Sequence, residues 1–213
     1  SVFLACKTGE RTREEVKAEL NRSLHRLHTD HLDLYQLHGV TTLDEVERIM
    51  GKGGAIETFI EAKKEGLVKY LGFSAHSEQA ALALLDRFDF DSMLFPLNWV
   101  CWNQGHFGPK VLERAQRKGV GILALKSLAK RKWKDGEVRK WPKCWYAPVD
   151  TPEEASMAFR FTLSLPVTAA VSPSHAELLW WECDAADSFR PLPKEEEAEV
   201  AEKGKGLEPI FPQ

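Results

Sequence analysis

The 213-residue chain is 43% hydrophobic and 29% charged, an ordinary globular composition, and carries a formal net charge of −3 with a sequence pI near 6.2. That balance points neither to nucleic acid nor to an anionic membrane surface, and apolar runs such as Ile122 to Leu125 are far too short to span a bilayer. The opening Ser1-Val2-Phe3-Leu4 lacks the basic start and long apolar stretch of a secretory signal, so a cytoplasmic location is expected.

In chain order, Val2 to Lys7 reads as a short buried strand ended by the turn Thr8-Gly9-Glu10. Thr12 and Glu15 have capping-box spacing, and Val16, Leu20, Leu24 and Leu27 follow at helical intervals. Leu32 to His38 is the next strand. The stretch from Asp44 to Met50 reads as loop, and Gly54 to Glu65 as a helix closed by Gly66. Strand and helix then alternate: Val68 to Ser74, Glu78 to Arg87, Met93 to Leu97, Lys110 to Lys118 and Val120 to Leu125. A polar stretch from Lys130 to Asp150 breaks the rhythm. Thr151-Pro152-Glu153-Glu154 opens a helix reaching about Leu165, with a capping residue and then Pro at the first position. Val167 to Val171 is the last strand, and weaker helices are expected near His175 to Asp187 and Lys194 to Lys203.

Six apolar strands, each followed by a helix, argue for a parallel sheet covered on both faces. A doubly wound sheet and a barrel both fit. No Gly-rich G-x-G-x-x-G turn follows any strand, which favours the barrel. The cysteines Cys6, Cys101, Cys144 and Cys183 are far apart without a CxxC pair and read as scattered thiols, so no metal site is expected.

Four runs occur in order: Val2-Phe3-Leu4-Ala5-Cys6-Lys7-Thr8, Leu32-Asp33-Leu34-Tyr35-Gln36-Leu37-His38, Leu71-Gly72-Phe73-Ser74 and Phe159-Arg160-Phe161-Thr162-Leu163-Ser164. Together they resemble the aldo-keto reductase family from its third barrel strand onward. The resemblance implies an α/β fold of the (β/α)8 TIM-barrel type, here incomplete. On that resemblance about six βα units are expected with the first two missing, and residues 1–213 are expected to form one partial barrel domain. It also implies hydride transfer between a nicotinamide cofactor, usually NADPH, and a small aldehyde or ketone, through a tetrad of Asp, Tyr, Lys and His.

On that resemblance Lys7 is the tetrad lysine and His38 the tetrad histidine. Each reads as the last residue of a strand, where barrel enzymes place their chemistry. A buried lysine lowers the pKa of a neighbouring tyrosine, and a histidine can hold a carbonyl oxygen as charge develops on it. The bland readings are a solvated turn lysine and a satisfied strand-end histidine. Tyr35, three residues before His38, points to the opposite face by strand alternation and cannot replace the missing acid. Tyr146, in the long loop, has nothing in the sequence to place it.

For the cofactor, the resemblance matches Ser74 to the serine that bonds the nicotinamide carboxamide, although its usual asparagine neighbour is Ala75. It puts Asn98 near the ring and Leu125 where an aromatic residue usually stacks, with Lys126, Ser127 and Leu128 following. Ser174 and His175 fall in the segment that grips the adenosine phosphate. The family's usual cofactor makes NADP the expectation, but that segment holds no Lys or Arg, which leaves NAD open.

The basic loop from Lys130 to Lys143 has three readings: a source of charge for the pyrophosphate, a solvated loop pinned by Trp133, Trp141 and Trp145, or a single-strand nucleic-acid mimic. The last is disfavoured, and neither a nucleic-acid nor a membrane partner is expected. Without the tetrad Asp and Tyr, reduction by this chain alone is expected to be impaired. A partner or swapped element that completes the barrel would cover the surface left open. The competing function is a catalytically dead nucleotide-binding or interaction module on the same barrel.

Overall fold

The computed structural model describes residues 2–211. Its elements in order are β1 (Ala5–Thr8), α1 (Arg13–Leu27), β2 (Leu32–Val40), α2 (Leu43–Met50), α3 (Ala55–Lys64), β3 (Val68–Ala75), α4 (Glu78–Arg87) and β4 (Ser92–Pro96). They continue with α5 (Trp99–Gly105), α6 (Pro109–Arg117), β5 (Gly121–Leu125), β6 (Ala129–Lys132), β7 (Tyr146–Pro148), α7 (Pro152–Ser164), β8 (Ala169–Val171), α8 (Ala176–Asp187) and α9 (Lys194–Gly204). Six strands form one sheet in the order β1-β2-β3-β4-β5-β8, with β1·β2, β2·β3, β3·β4 and β5·β8 parallel. Sequential parallel neighbours joined by helices make this an α/β fold.

The chain divides into two compact units, Ser1–Leu94 with Glu113–Gly121, and Phe95–Leu112 with Ile122–Gln213. In the first, α1 buries Val16, Leu20 and Leu24, and α3 buries Phe59 and Ala62. Tyr35 of β2 packs its ring 5.0 Å from that of Phe59. The Tyr35 side of the sheet is therefore the helix-covered side, and Gln36 faces the other way. In the second unit, β6 and β7 pair antiparallel as a separate ribbon, and α7 buries Ala155, Ala158, Phe159, Phe161 and Thr162. The Thr162 hydroxyl donates to the Leu97 carbonyl at 3.1 Å.

Several expectations change. Asp44 to Met50 is not loop but belongs to α2, opened by a capping box in which the Thr42 side chain accepts from Glu45 N–H and Glu45 returns to the Thr42 backbone. Thr12 forms no such cap. Its hydroxyl donates to the Glu15 carboxylate at 2.5 Å, so the spacing is present without the cap bond. Trp99–Gly105 is an additional helix, capped by Asn98. The polar stretch after β5 contains the ribbon, its basic side chains held by local carboxylates: Arg131 by Glu137, Lys130 by Glu154 and Lys140 by Asp150.

Candidate active site

The strand register builds a row across the first unit. Lys7 pairs with Gln36, Gln36 with Gly72, and Gly72 with Ser92. In-register residues of parallel strands share a face, so this row lies on the side away from the helices. Gln36 donates through Nε2 to Ser92 Oγ at 3.4 Å, crossing over Gly72. A Cβ at Gly72 would come within 2.3 Å of Ser92 Oγ and 3.1 Å of Gln36 Cγ, so glycine leaves the space that this polar layer occupies.

His38 lies two residues beyond Gln36, returning to the face of Lys7. Neither residue ends its strand: β1 runs on to Thr8 and β2 to Val40. The extra length of β2 is a bulge, since Leu37 pairs with Phe73 but Val40 with Ala75, and Gly39 takes the left-handed φ of +62°. Such bulges re-aim side chains near active sites. Burial, then the charge of Lys7, then that of Arg11, hold the His38 imidazole below its ordinary 6.5, so it is neutral at pH 7. Lys7 itself is exposed, not buried as the resemblance suggested. Tyr35 lies on the opposite face, fully buried, and burial pushes its hydroxyl pKa up.

Ser74, 1% exposed, sits beside the bulge, its Oγ accepting from Gly39 N–H at 2.7 Å. The hydroxyl proton is left for an acceptor. Ser74 and His38 are thus brought together through one peptide group.

In the second unit, Leu125, Lys126 and Ser174 line one cavity of about 80 Å³ with Cys144, Trp145 and Tyr146. Lys126 adopts a φ of +66°, costly for a residue with a Cβ, and its ammonium lies 5.1 Å from the Tyr146 ring centre and 5.6 Å from that of Trp145. The remaining cofactor positions are engaged elsewhere. Asn98 accepts from Val100 and Cys101 N–H as a helix cap. Ser127 is buried and donates to Glu182 at 2.5 Å. Leu128 is fully buried. His175 accepts from Lys143 N–H at 3.1 Å and packs against Trp141, tying the long loop to the start of α8. Tyr146 is buried below Lys126, and burial raises its hydroxyl pKa, so it remains protonated. Among the described residues no cluster of His, Cys, Asp or Glu is arranged to hold a metal ion.

Two residues passed over in the sequence complete the first unit's site. Arg11 donates to the His38 carbonyl at 2.8 Å and pairs with Glu45 at 2.8 Å. The signal for Glu45 was present in Thr42-Leu43-Asp44-Glu45, a capping-box pattern. Arg11, in a turn among other charged residues, carried none.

A family model described as the aldo/keto reductase family matches residues 1–147, more than half of the chain. The chain belongs to the aldo/keto reductase family. Among curated proteins it is similar to an uncharacterized oxidoreductase, YqkF, of Bacillus subtilis, at 36% identity over 86 residues. That match spans 35% of this chain and 26% of the relative, well under two thirds of its length. Among solved structures it is similar to an aldo-keto reductase from Bacillus halodurans in its holo form, with a TM-score of 0.68 and 23% identity over 100% of this chain and 75% of that one. An aldo/keto reductase from Brucella melitensis aligns with a TM-score of 0.62 and 16% identity, over 94% and 73% of the two chains. The chain therefore has the α/β fold of the family's (β/α)8 barrels, represented by six strands of one sheet.

Proposed function

We propose that the chain carries the lysine and histidine of a reductase that reduces an aldehyde or ketone to an alcohol with a nicotinamide cofactor, NADP in preference to NAD. The observation that carries this reading is that His38, two residues beyond the Gln36 that pairs with Lys7, shares a sheet face with Lys7, where burial and the Lys7 charge lower its pKa and favour the neutral imidazole. A neutral imidazole can donate a hydrogen bond to a carbonyl oxygen without a competing charge, and Lys7 adds positive potential on the same face. When bound, the reduced nicotinamide supplies the hydride. Ser74 fits its carboxamide, because the hydroxyl has a proton left after accepting from Gly39. The cavity at Lys126 and Ser174, which Lys143 also lines, has room for a phosphate-sized anion beside these two lysines, while Asn98 and Ser127 are engaged in contacts outside its lining.

The tetrad Asp and Tyr have no counterpart among these residues by the resemblance. Loss of a general acid lowers the rate by roughly 10²–10⁴-fold, so we propose that turnover needs an element that supplies them. Among the described residues β1 and β8 each pair on one side, with Phe3 59% exposed just before β1 and Val171 exposed in β8, which supports that reading. Titration with NADPH and NADH, followed by the fluorescence of the seven tryptophans, tests cofactor binding. Saturable quenching with only background reduction of a reactive aldehyde is expected. No quenching by either nucleotide would overturn the cofactor assignment and favour an interaction module.

A further inference from the structure

We propose that Arg11 is a positioning residue for His38, holding one side of the His38–Gly39 peptide while the Ser74 hydroxyl holds the other. The proposal rests on the reading of His38 as the group that meets the substrate carbonyl. Arg11 Nη2 donates to His38 O at 2.8 Å, and Gly39 N–H donates to Ser74 Oγ at 2.7 Å. The carbonyl and the amide belong to one peptide plane, so these two bonds fix the plane from opposite ends. That plane lies in the β2 bulge, where ladder pairing is locally interrupted and the backbone would otherwise be free to rotate.

Arg11 is itself immobilised. Its Nε and Nη2 reach Glu45 Oε1 at 3.0 and 2.8 Å, and its side chain is only 12% exposed. The other Glu45 oxygen accepts from Thr41 N–H and Thr41 Oγ1–H, both at 2.8 Å, and from Thr42 N–H at 3.1 Å. Although burial opposes it, this set of donors holds the Glu45 carboxyl at about 2, so it stays ionised. The result is a chain of contacts from the first turn of α2 through Glu45 and Arg11 to the bulge. A planar guanidinium can serve a carboxylate and a carbonyl at once in fixed geometry, whereas an ammonium presents a point charge on a flexible stem.

The test reads the imidazole directly in the full chain without cofactor, so it stands or falls separately from cofactor binding. Ring 1H–13C NMR signals are followed through a pH titration, with His38 assigned by loss of its signal in His38→Asn. In Arg11→Gln the His38 signal should shift and its titration midpoint rise towards 6.5. In Arg11→Lys the midpoint should stay low, because the charge remains, but the ring signal should still shift as the fork is lost. His25, His28 and His31, in and just after α1, serve as controls and should not move. If all histidines move together the fold has been lost, and Glu45→Gln, which releases Arg11 without removing it, decides by the same shift of His38 alone. Folded variants whose His38 ring signal stays at its wild-type position would overturn the proposal.

Discussion

At Gly72 a side chain has nowhere to go. Ser92 Oγ and Ser92 O would lie 2.3 and 2.8 Å from a new Cβ, and the carbonyl cannot swing away as a side chain can. Gly72→Ala should therefore destabilise the chain by about 1–3 kcal/mol in urea unfolding. Glu182 gives a second prediction. It is 3% exposed, and burial raises its pKa to about 7 against the opposing hydrogen bond from Ser127. Because the folded pKa exceeds the unfolded 4.5, its contribution is fully present below pH 4.5 and is lost as pH rises through about 7. Glu182→Gln should be near neutral at pH 4.5 and stabilising at pH 8, by up to roughly 3 kcal/mol, as read from denaturation at the two pH values. Ser127 was legible as a residue just after a strand. That its hydroxyl is taken by a carboxylate 55 positions away was not.

The helix starts separate pattern from bond. Thr12-x-x-Glu15 and Thr42-x-x-Glu45 have the same spacing, yet only the second pair forms reciprocal cap bonds. Thr42→Ala should cost about 1 kcal/mol, while Thr12→Ala should stay within about 0.5 kcal/mol, both by chemical denaturation. The β6–β7 ribbon was hidden for a different reason: its strands are 4 and 3 residues long, too short to show periodicity, and joined through charged residues. Trp133 Nε1–H donates to the Cys144 carbonyl at 2.9 Å, across the arms of that ribbon. Trp133→Phe should leave that carbonyl without its donor and speed amide exchange in Ala129–Lys132 several-fold. The parallel strands, in contrast, are readable as continuous apolar runs, although the end of β2 lies beyond its apolar run because a bulge leaves no mark in hydrophobicity.

For the molecule as a whole, the two sheet edges matter most. Among the described residues β1 pairs with β2 alone and β8 with β5 alone, and Val2 and Phe3 are 81% and 59% exposed. Unpaired edges beside apolar side chains are templates for association. Sedimentation of a polypeptide of residues 1–213 should show concentration-dependent self-association, and a monodisperse monomer that melts cooperatively would argue against the proposed completing element. The sequence by itself determined the strand–helix alternation, the family, and Lys7 and His38 as site candidates, because hydrophobic runs and local motifs are properties of neighbouring residues. Only the tertiary structure decided which side chains were left for a ligand. Asn98 is drawn into a helix cap, Ser127 into a buried bond and His175 into a loop contact, and Arg11 and Glu45 are brought from a turn and from the first turn of α2 to the bulge at His38. A hydrogen bond depends on where the folded chain places donor and acceptor, and for partners 27 to 55 residues apart no local pattern encodes that meeting.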